Sequence, residues 1–231
     1  MIVKIVYFKI SDYDLIFDKV SDYTCKFLTE GENQVFNKYV FKRDKINLLL
    51  GRIIVRKYLD LDVYDFDKNQ FGKLNHKENN KMYFNISHTE GIVAVSFSHN
   101  QNTGVDVEIM RKMKEDEYIS LLNYFASNDE KNNLFKLIDY ENKIEEFYKI
   151  WTSKEAYLKA LGIGLVNDLP KVCTMGRNKK TNTNYYSEII ENKYYLSCAS
   201  IEVNKQHNEF AIQRLTEQEL FEWIDSPLDI I

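Results

Sequence analysis

Gly104-Val105-Asp106-Val107-Glu108, followed about fifty residues later by Trp151-Thr152-Ser153-Lys154-Glu155-Ala156-Tyr157-Leu158-Lys159, decides how this chain is read. Side chains two apart on a strand share a face. The first segment therefore reads as a strand on which Asp106 and Glu108 project together while Val105, Val107 and Ile109 turn toward the core. The second reads as a helix. Trp151, Glu155 and Lys159 recur every four residues and lie near one side of it, with Lys154 next to them. If the two segments meet, they form a three-carboxylate cation site flanked by lysines, which suits a diphosphate. Mg²⁺ is the natural occupant, because it prefers hard oxygen ligands and keeps water and phosphate oxygens in its shell. An ordinary exposed strand face and a surface Glu-Lys pair would carry the same residues.

Working outward, residues 81–86, 92–98 and 103–109 read as consecutive strands, with turn signals at Glu90-Gly91 and His99-Asn100 between them. Residues 1–10 mix charge into an apolar run and read as a first strand. Helical periodicity covers about 45–59, where Ile46, Leu49, Leu50, Ile53 and Ile54 make one apolar side. Lys45, Arg52 and Arg56 fall on another side. This basic stripe reads as a solvated face, with attraction of phosphates or of an acidic partner helix as the alternative. Further helices are expected over 115–125 and 144–161, the second closed by Gly162. Beyond Pro170 come strands at 171–176, 185–190, 194–201 and 209–215, with a polar loop or hairpin tip at 178–184. Strand groups separated by helices imply an α+β fold, divided into an N-terminal half, 1–103, and a C-terminal half, 104–231.

Composition narrows the function classes. A chain of 231 residues that is 44% hydrophobic can bury a sizeable core, so a folded protein is expected. Its net charge of −4 argues against a dedicated nucleic-acid binder, whose affinity needs concentrated Lys and Arg. The first residues lack the features of a signal peptide, and no apolar run reaches the roughly 18 residues of a membrane helix. Cys25, Cys173 and Cys198 are odd in number and widely spaced, with no metal-ligand pattern, which fits a reducing cytoplasm. Gly162-Ile163-Gly164-Leu165 does not have the spacing of a Walker or dinucleotide loop. Ser87-His88 is not part of a Gly-x-Ser-x-Gly elbow, so the pair does not indicate a hydrolase.

Two further segments complete the pattern. Phe84-Asn85-Ile86-Ser87-His88 ends a strand where small polar groups and an imidazole can reach a ligand, and Phe71-Gly72-Lys73 precedes it. Together with Leu49-Leu50-Gly51-Arg52, the 104–108 strand, the 151–159 helix and Gly162-Ile163-Gly164-Leu165, these segments resemble in order and spacing the 4′-phosphopantetheinyl transferases in their long two-half branch. The resemblance spans roughly residues 42–165.

The resemblance implies a pseudo-twofold α+β monomer. Each half would be an antiparallel sheet packed with helices, and the active site would lie in the cleft between them. It implies Mg²⁺-dependent transfer of phosphopantetheine from coenzyme A to a serine of an apo acyl or peptidyl carrier protein, releasing adenosine 3′,5′-bisphosphate. By position Asp106, Glu108 and Glu155 would hold Mg²⁺. Lys159, with Lys154 nearby, would meet the pyrophosphate, and Lys73, Ser87 and His88 the adenosine bisphosphate end, His88 at the 3′-phosphate. Glu155 is the first candidate for the base, with Asp129 and Glu130 as alternatives. Leu74 stands where the family often has proline. Asn47 or Leu48 replaces a basic residue before Leu-Leu-Gly, which moves the expected phosphate contacts to Lys42, Arg43 or Lys45. The competing reading is a catalytically silent coenzyme A-binding or carrier-docking protein of the same fold.

Overall fold

The computed structural model describes residues 2–59, 66–76, 82–99, 101–164, 169–174, 182–201 and 209–225. In chain order the elements are β1 (Ile2–Lys9), α1 (Tyr13–Val20), α2 (Thr24–Phe27), α3 (Glu30–Lys38), α4 (Lys42–Leu59), β2 (Phe66–Lys68), β3 (Leu74–His76), β4 (Met82–Thr89), β5 (Ile92–His99) and β6 (Thr103–Ile109). There follow α5 (Glu115–Phe125), α6 (Asn128–Phe135), α7 (Tyr140–Leu161), β7 (Thr183–Ile190), β8 (Tyr194–Ile201), β9 (Glu209–Leu215) and α8 (Glu217–Asp225). The fold class is α+β, as expected.

Two sheets are stacked between helices. The first has the order β4-β5-β1-β9 and the second β6-β8-β7, with β2-β3 a small separate hairpin. Among the described residues all pairings are antiparallel except that of β1 with β9, where Val6 sits opposite Gln213; the first sheet is therefore mixed and not the antiparallel sheet expected, because β9 returns to it from the far end of the described chain. Alternation along β1 explains the stacking. Val6 and Phe8 pack with Leu49, Leu50 and Ile53 of α4 and Leu220 of α8. Val3, Ile5 and Tyr7, on the other face, pack with Val105, Val107, Leu196 and Cys198 of the second sheet. A strand covered on both faces reads as a continuous apolar run, and β5 is buried from Ile92 through Ser98. A third core joins α5, α6 and α7 through Leu122, Phe125, Leu134, Phe147 and Ile150.

Helix α7 begins at Tyr140, four residues before its apolar periodicity shows, because the Asp139 side chain caps it by accepting from Asn142 N. It ends where expected, at Gly162, whose φ of 70° is the left-handed C-cap conformation. One expectation, a strand over 171–176, is corrected for its described residues: 171–174 are not strand. Leu169–Lys171 is a single 3₁₀ turn, which Pro170 tolerates, and 172–174 continue without regular structure. Residues 175–176 and 178–181, like Lys81, Asn100 and Leu165, lie outside the described residues. Among the described residues no helix is long and apolar enough to cross a membrane.

Candidate active site

β4 and β6 are outer strands of different sheets, and side chains join them. Asn85 Oδ1 accepts from Val105 N at 3.1 Å, and Ser87 Oγ accepts from Val107 N at 3.3 Å. Asp106 comes to this seam from β6. Its Oδ1 accepts from Ser87 Oγ at 3.1 Å and from Lys159 Nζ of α7 at 2.6 Å, while Lys159 also donates to Ser87 Oγ at 2.9 Å. The helix can come this close because residue 104 is glycine. A Cβ there would stand 2.1 Å from Ala156 O and 2.4 Å from Ala160 N. The small side chains Ala156, Ala160 and Ala199 continue this close seam.

The expected carboxylates are therefore neighbours. Burial, then the charge of Asp106, pushes the Glu155 carboxyl up to about 7, against the pull of Lys159. Glu108 is raised by burial and then by Asp106, with Lys159 and hydrogen bonds from Trp151 and Thr89 opposing. As the side chains stand, no three His, Cys, Asp or Glu among the described residues converge to hold a metal ion, and Lys159 lies against Asp106. The donor set still fits a hard cation. Asp106 Oδ2 and Glu155 Oε1 are buried without hydrogen-bond partners, a costly condition that a divalent ion, completed by water and phosphate oxygens, would relieve.

Two cavities adjoin the seam. One of about 350 Å³ lies between α4, the 72–74 segment and β4, and includes Asn47, Arg52, Lys73 and His88 in its lining. The other, about 400 Å³, includes Thr89, Glu108 and Arg111 in its lining beside the aromatic side chains of Tyr124, Phe125, Phe147, Tyr148 and Trp151. His88 and Thr89, consecutive on β4, thus border different cavities. The His88 ring is held below its usual pKa by partial burial, then by Lys159 and also Arg52, against Asp44. Lys73 reaches across to the second sheet and α7, donating to Ala160 O at 3.0 Å and Thr103 O at 3.3 Å, and its burial lowers its pKa to about 8. Cation donation to the last carbonyls of a helix is favourable, and it ties the β2-β3 hairpin to α7.

Lys154 does not join its expected neighbours. It is fully buried on another side of α7, ion-paired with Glu130 at 2.8 Å and donating to Phe125 O at 2.7 Å and Leu169 O at 3.0 Å. Burial lowers its pKa and Glu130 opposes the shift. Glu130, which also closes a capping box with Ser127, is engaged in the interior, while Asp129 is exposed on α6. The basic stripe on α4 is corrected as well. Arg52 is 8% exposed and Arg56 fully buried, because Glu32 of α3 reaches both, at 2.6 and 3.6 Å. Lys42 pairs with Asp14, Arg43 with Asp44, and Lys45 lies over Phe36; none of these three cations lines the cavity. Arg52 does; in the sequence it stood in the basic stripe, where attraction of phosphates was the alternative to a solvated face.

Comparison with known proteins places this geometry in context. The model of the 4′-phosphopantetheinyl transferase superfamily matches residues 102–218. The chain is 28% identical over 200 residues to the 4′-phosphopantetheinyl transferase gsp of Aneurinibacillus migulanus, covering 75% of this chain and 76% of that one. It is 30% identical over 147 residues to the 4′-phosphopantetheinyl transferase HetI of Nostoc sp., covering 60% and 61%, respectively. With the 4′-phosphopantetheinyl transferase Sfp of Bacillus subtilis the identity is 27% over 145 residues, covering 60% and 62%. The matched stretch thus spans under two thirds of the Nostoc and Bacillus relatives.

Proposed function

The chain belongs to the 4′-phosphopantetheinyl transferase superfamily, and from that premise we propose that it moves the phosphopantetheine arm of coenzyme A onto a serine of an apo acyl or peptidyl carrier protein. The product released is adenosine 3′,5′-bisphosphate. The observation that carries this reading is the cluster at the β4-β6 seam. There Lys159 meets Asp106, and Glu108 and Glu155 stand close enough for Asp106 to shift both their pKa values.

In the reaction the serine oxygen bonds to the β-phosphorus of coenzyme A and the bond to the bridging oxygen breaks. That oxygen leaves on adenosine bisphosphate, and the serine proton passes to a base. Glu155 is the first candidate for the base, directly or through water, as the carboxylate of the cluster whose charged form burial and Asp106 most disfavour while no cation is present. Lys159 brings positive charge to the phosphoryl oxygens and the leaving group, where negative charge grows. Asp106, Glu108 and Glu155 would hold a Mg²⁺ ion, which when bound supplies further neutralisation of the pyrophosphate. Lys73 and His88 hold the adenosine bisphosphate end in the cavity they line, Ser87 fixes Lys159 and Asp106 from behind, and Lys154 supports α7 from within. The enzyme works as a cytoplasmic monomer with the substrate in the cleft between two halves related by a pseudo-twofold, 1–103 and 104–231, the second of which sends β9 and α8 back to complete the first sheet and its core.

The test is release of adenosine 3′,5′-bisphosphate, followed chromatographically while Mg²⁺ is titrated into enzyme, coenzyme A and an apo carrier. Metal-stimulated release supports transfer. Tight coenzyme A binding without release, over several carriers, would favour the silent binding protein instead.

A further inference from the structure

Four hydroxyls lie between α7 and the second sheet, beside the carboxylate cluster, and the transfer reading gives them no part. Thr152 and Ser153 come from α7, Ser197 from β8 and Ser187 from β7. Thr152 Oγ1 stands 2.6 Å from Ser197 Oγ, Ser187 Oγ stands 2.8 Å from Ser197 Oγ, and Ser153 Oγ lies 3.3 Å from each of those two serines. Thr152, Ser153 and Ser197 are buried. Thr152 Oγ1 also donates to Tyr148 O, one turn back in the helix, at 2.8 Å.

A hydroxyl has one proton to give, so this network has a fixed direction. Thr152 spends its proton on Tyr148 O. At the 2.6 Å contact Ser197 is therefore the donor, and toward Ser153 and Ser187 it only accepts. Nothing is left on Ser197 to donate elsewhere. Yet Ser197 stands directly opposite Asp106 in the β6-β8 pairing. Side chains opposite one another on antiparallel strands share a face with their Cβ atoms about 5 Å apart, so the Asp106 carboxylate lies within a side-chain rotation of Ser197 Oγ. The two oxygens of that carboxylate are used differently. Oδ1 accepts from Ser87 and Lys159, while Oδ2 is buried with no partner among the described residues. An uncommitted serine in this position would donate to Oδ2, because a hydrogen bond to an ionised acceptor is about twice as strong as one between neutral groups.

We propose that Thr152 and Ser197 are positioning residues: Thr152 draws the Ser197 proton toward α7, and Asp106 Oδ2 is thereby kept bare for a divalent cation. The inference rests on the transfer reading above, in which Asp106 is one of the cation's ligands.

The experiment uses Mn²⁺ as the probe, titrated into the full chain with coenzyme A and no carrier, so that binding is read without turnover. Free Mn²⁺ is counted by electron paramagnetic resonance, with coenzyme A alone as the blank. Thr152→Val keeps the shape and removes the acceptor, which releases Ser197 to Asp106; Mn²⁺ binding should weaken roughly 10- to 100-fold, the usual cost of disturbing a group behind a metal ligand. Deleting the misdirected donor should restore it, so Thr152→Val/Ser197→Ala is expected within about threefold of wild type, as are Ser197→Ala and Thr152→Ser alone. A purely structural role predicts the opposite order, with the double variant at least as weak as either single one. Each variant is checked for a cooperative melt, and Ser197→Ala keeps the test decisive where Thr152→Val does not fold. Wild-type affinity in folded Thr152→Val, no recovery in the double variant, or a loss of about tenfold in Ser197→Ala overturns the assignment and leaves the transfer reading standing. A wild-type chain that binds coenzyme A but no Mn²⁺ overturns the cation site, and this assignment with it.

Discussion

Glu155 combines a buried oxygen with no partner and a pKa pushed up to about 7 by burial and Asp106. Glu155→Gln keeps its shape and removes its charge, so it should leave the fold cooperative and cut transfer by about 10²- to 10³-fold, as loss of one strong electrostatic group does. Wild-type turnover in Glu155→Gln or in Asp106→Ala would contradict the site. Glu32 makes a pH prediction. Burial alone would raise its carboxyl, but Arg52, the Thr29 N–H and Arg56 outweigh that and hold it below its ordinary 4.5. A lowered folded-state pKa stabilises above the unfolded value, and the gain is lost as pH falls through the folded one. Urea midpoints should therefore drop on acidification below about pH 4.5, and Glu32→Gln should flatten that drop. That Asp106, Glu108, Glu155 and Lys159 would stand near one another was legible in the sequence, because strand and helix periods place them. The place of Lys154 was not, because the next residue on a helix points about 100° away and nothing local says which side is buried. The Glu32-Arg52 pair joins separate helices across twenty positions, a contact no period encodes.

At the scale of elements, the close approach of α7 to β6 and the anchoring of α7 to α6 make separate predictions. Gly104→Ala would drive a Cβ into the backbone of α7, where no side chain can move aside. Overpacking of this kind costs about 1–3 kcal/mol, read as a lower denaturant midpoint. Lys154→Met would strand the buried Glu130 carboxylate and should cost about 3–5 kcal/mol, while Lys154→Met/Glu130→Leu should recover much of it. Little recovery in the double variant would mean that the pair is not acting as a unit. The long helices and strands were readable from their periods. Short helices were missed although their signals are written in the chain: Thr29 with Glu32 and Ser127 with Glu130 are capping boxes, and Asp12 caps α1. Over eight or nine residues, apolar period alone is too weak a sign beside such caps.

For the whole molecule, the sheet order carries the consequence that sequence reading could not reach. β9 lies parallel to β1 in the first sheet, so the end of the described chain completes the layer begun by its first strand. Parallel pairing across so many residues has no local signature, since each strand's own pattern is silent about its partner. A chain cut before Glu209 should lose β9 and α8, expose β1 and the α4 core, and fail to unfold cooperatively; an unchanged transition would contradict this packing. The proposed monomer should scatter light as one 27.5 kDa chain. The central claim is transfer itself, and the most direct measurement is the intact mass of an apo carrier protein incubated with this chain, coenzyme A and Mg²⁺, beside a chelator control. The account predicts a gain of one phosphopantetheine that the chelator abolishes. No gain on any of several unrelated apo carriers, with coenzyme A binding intact, would contradict it.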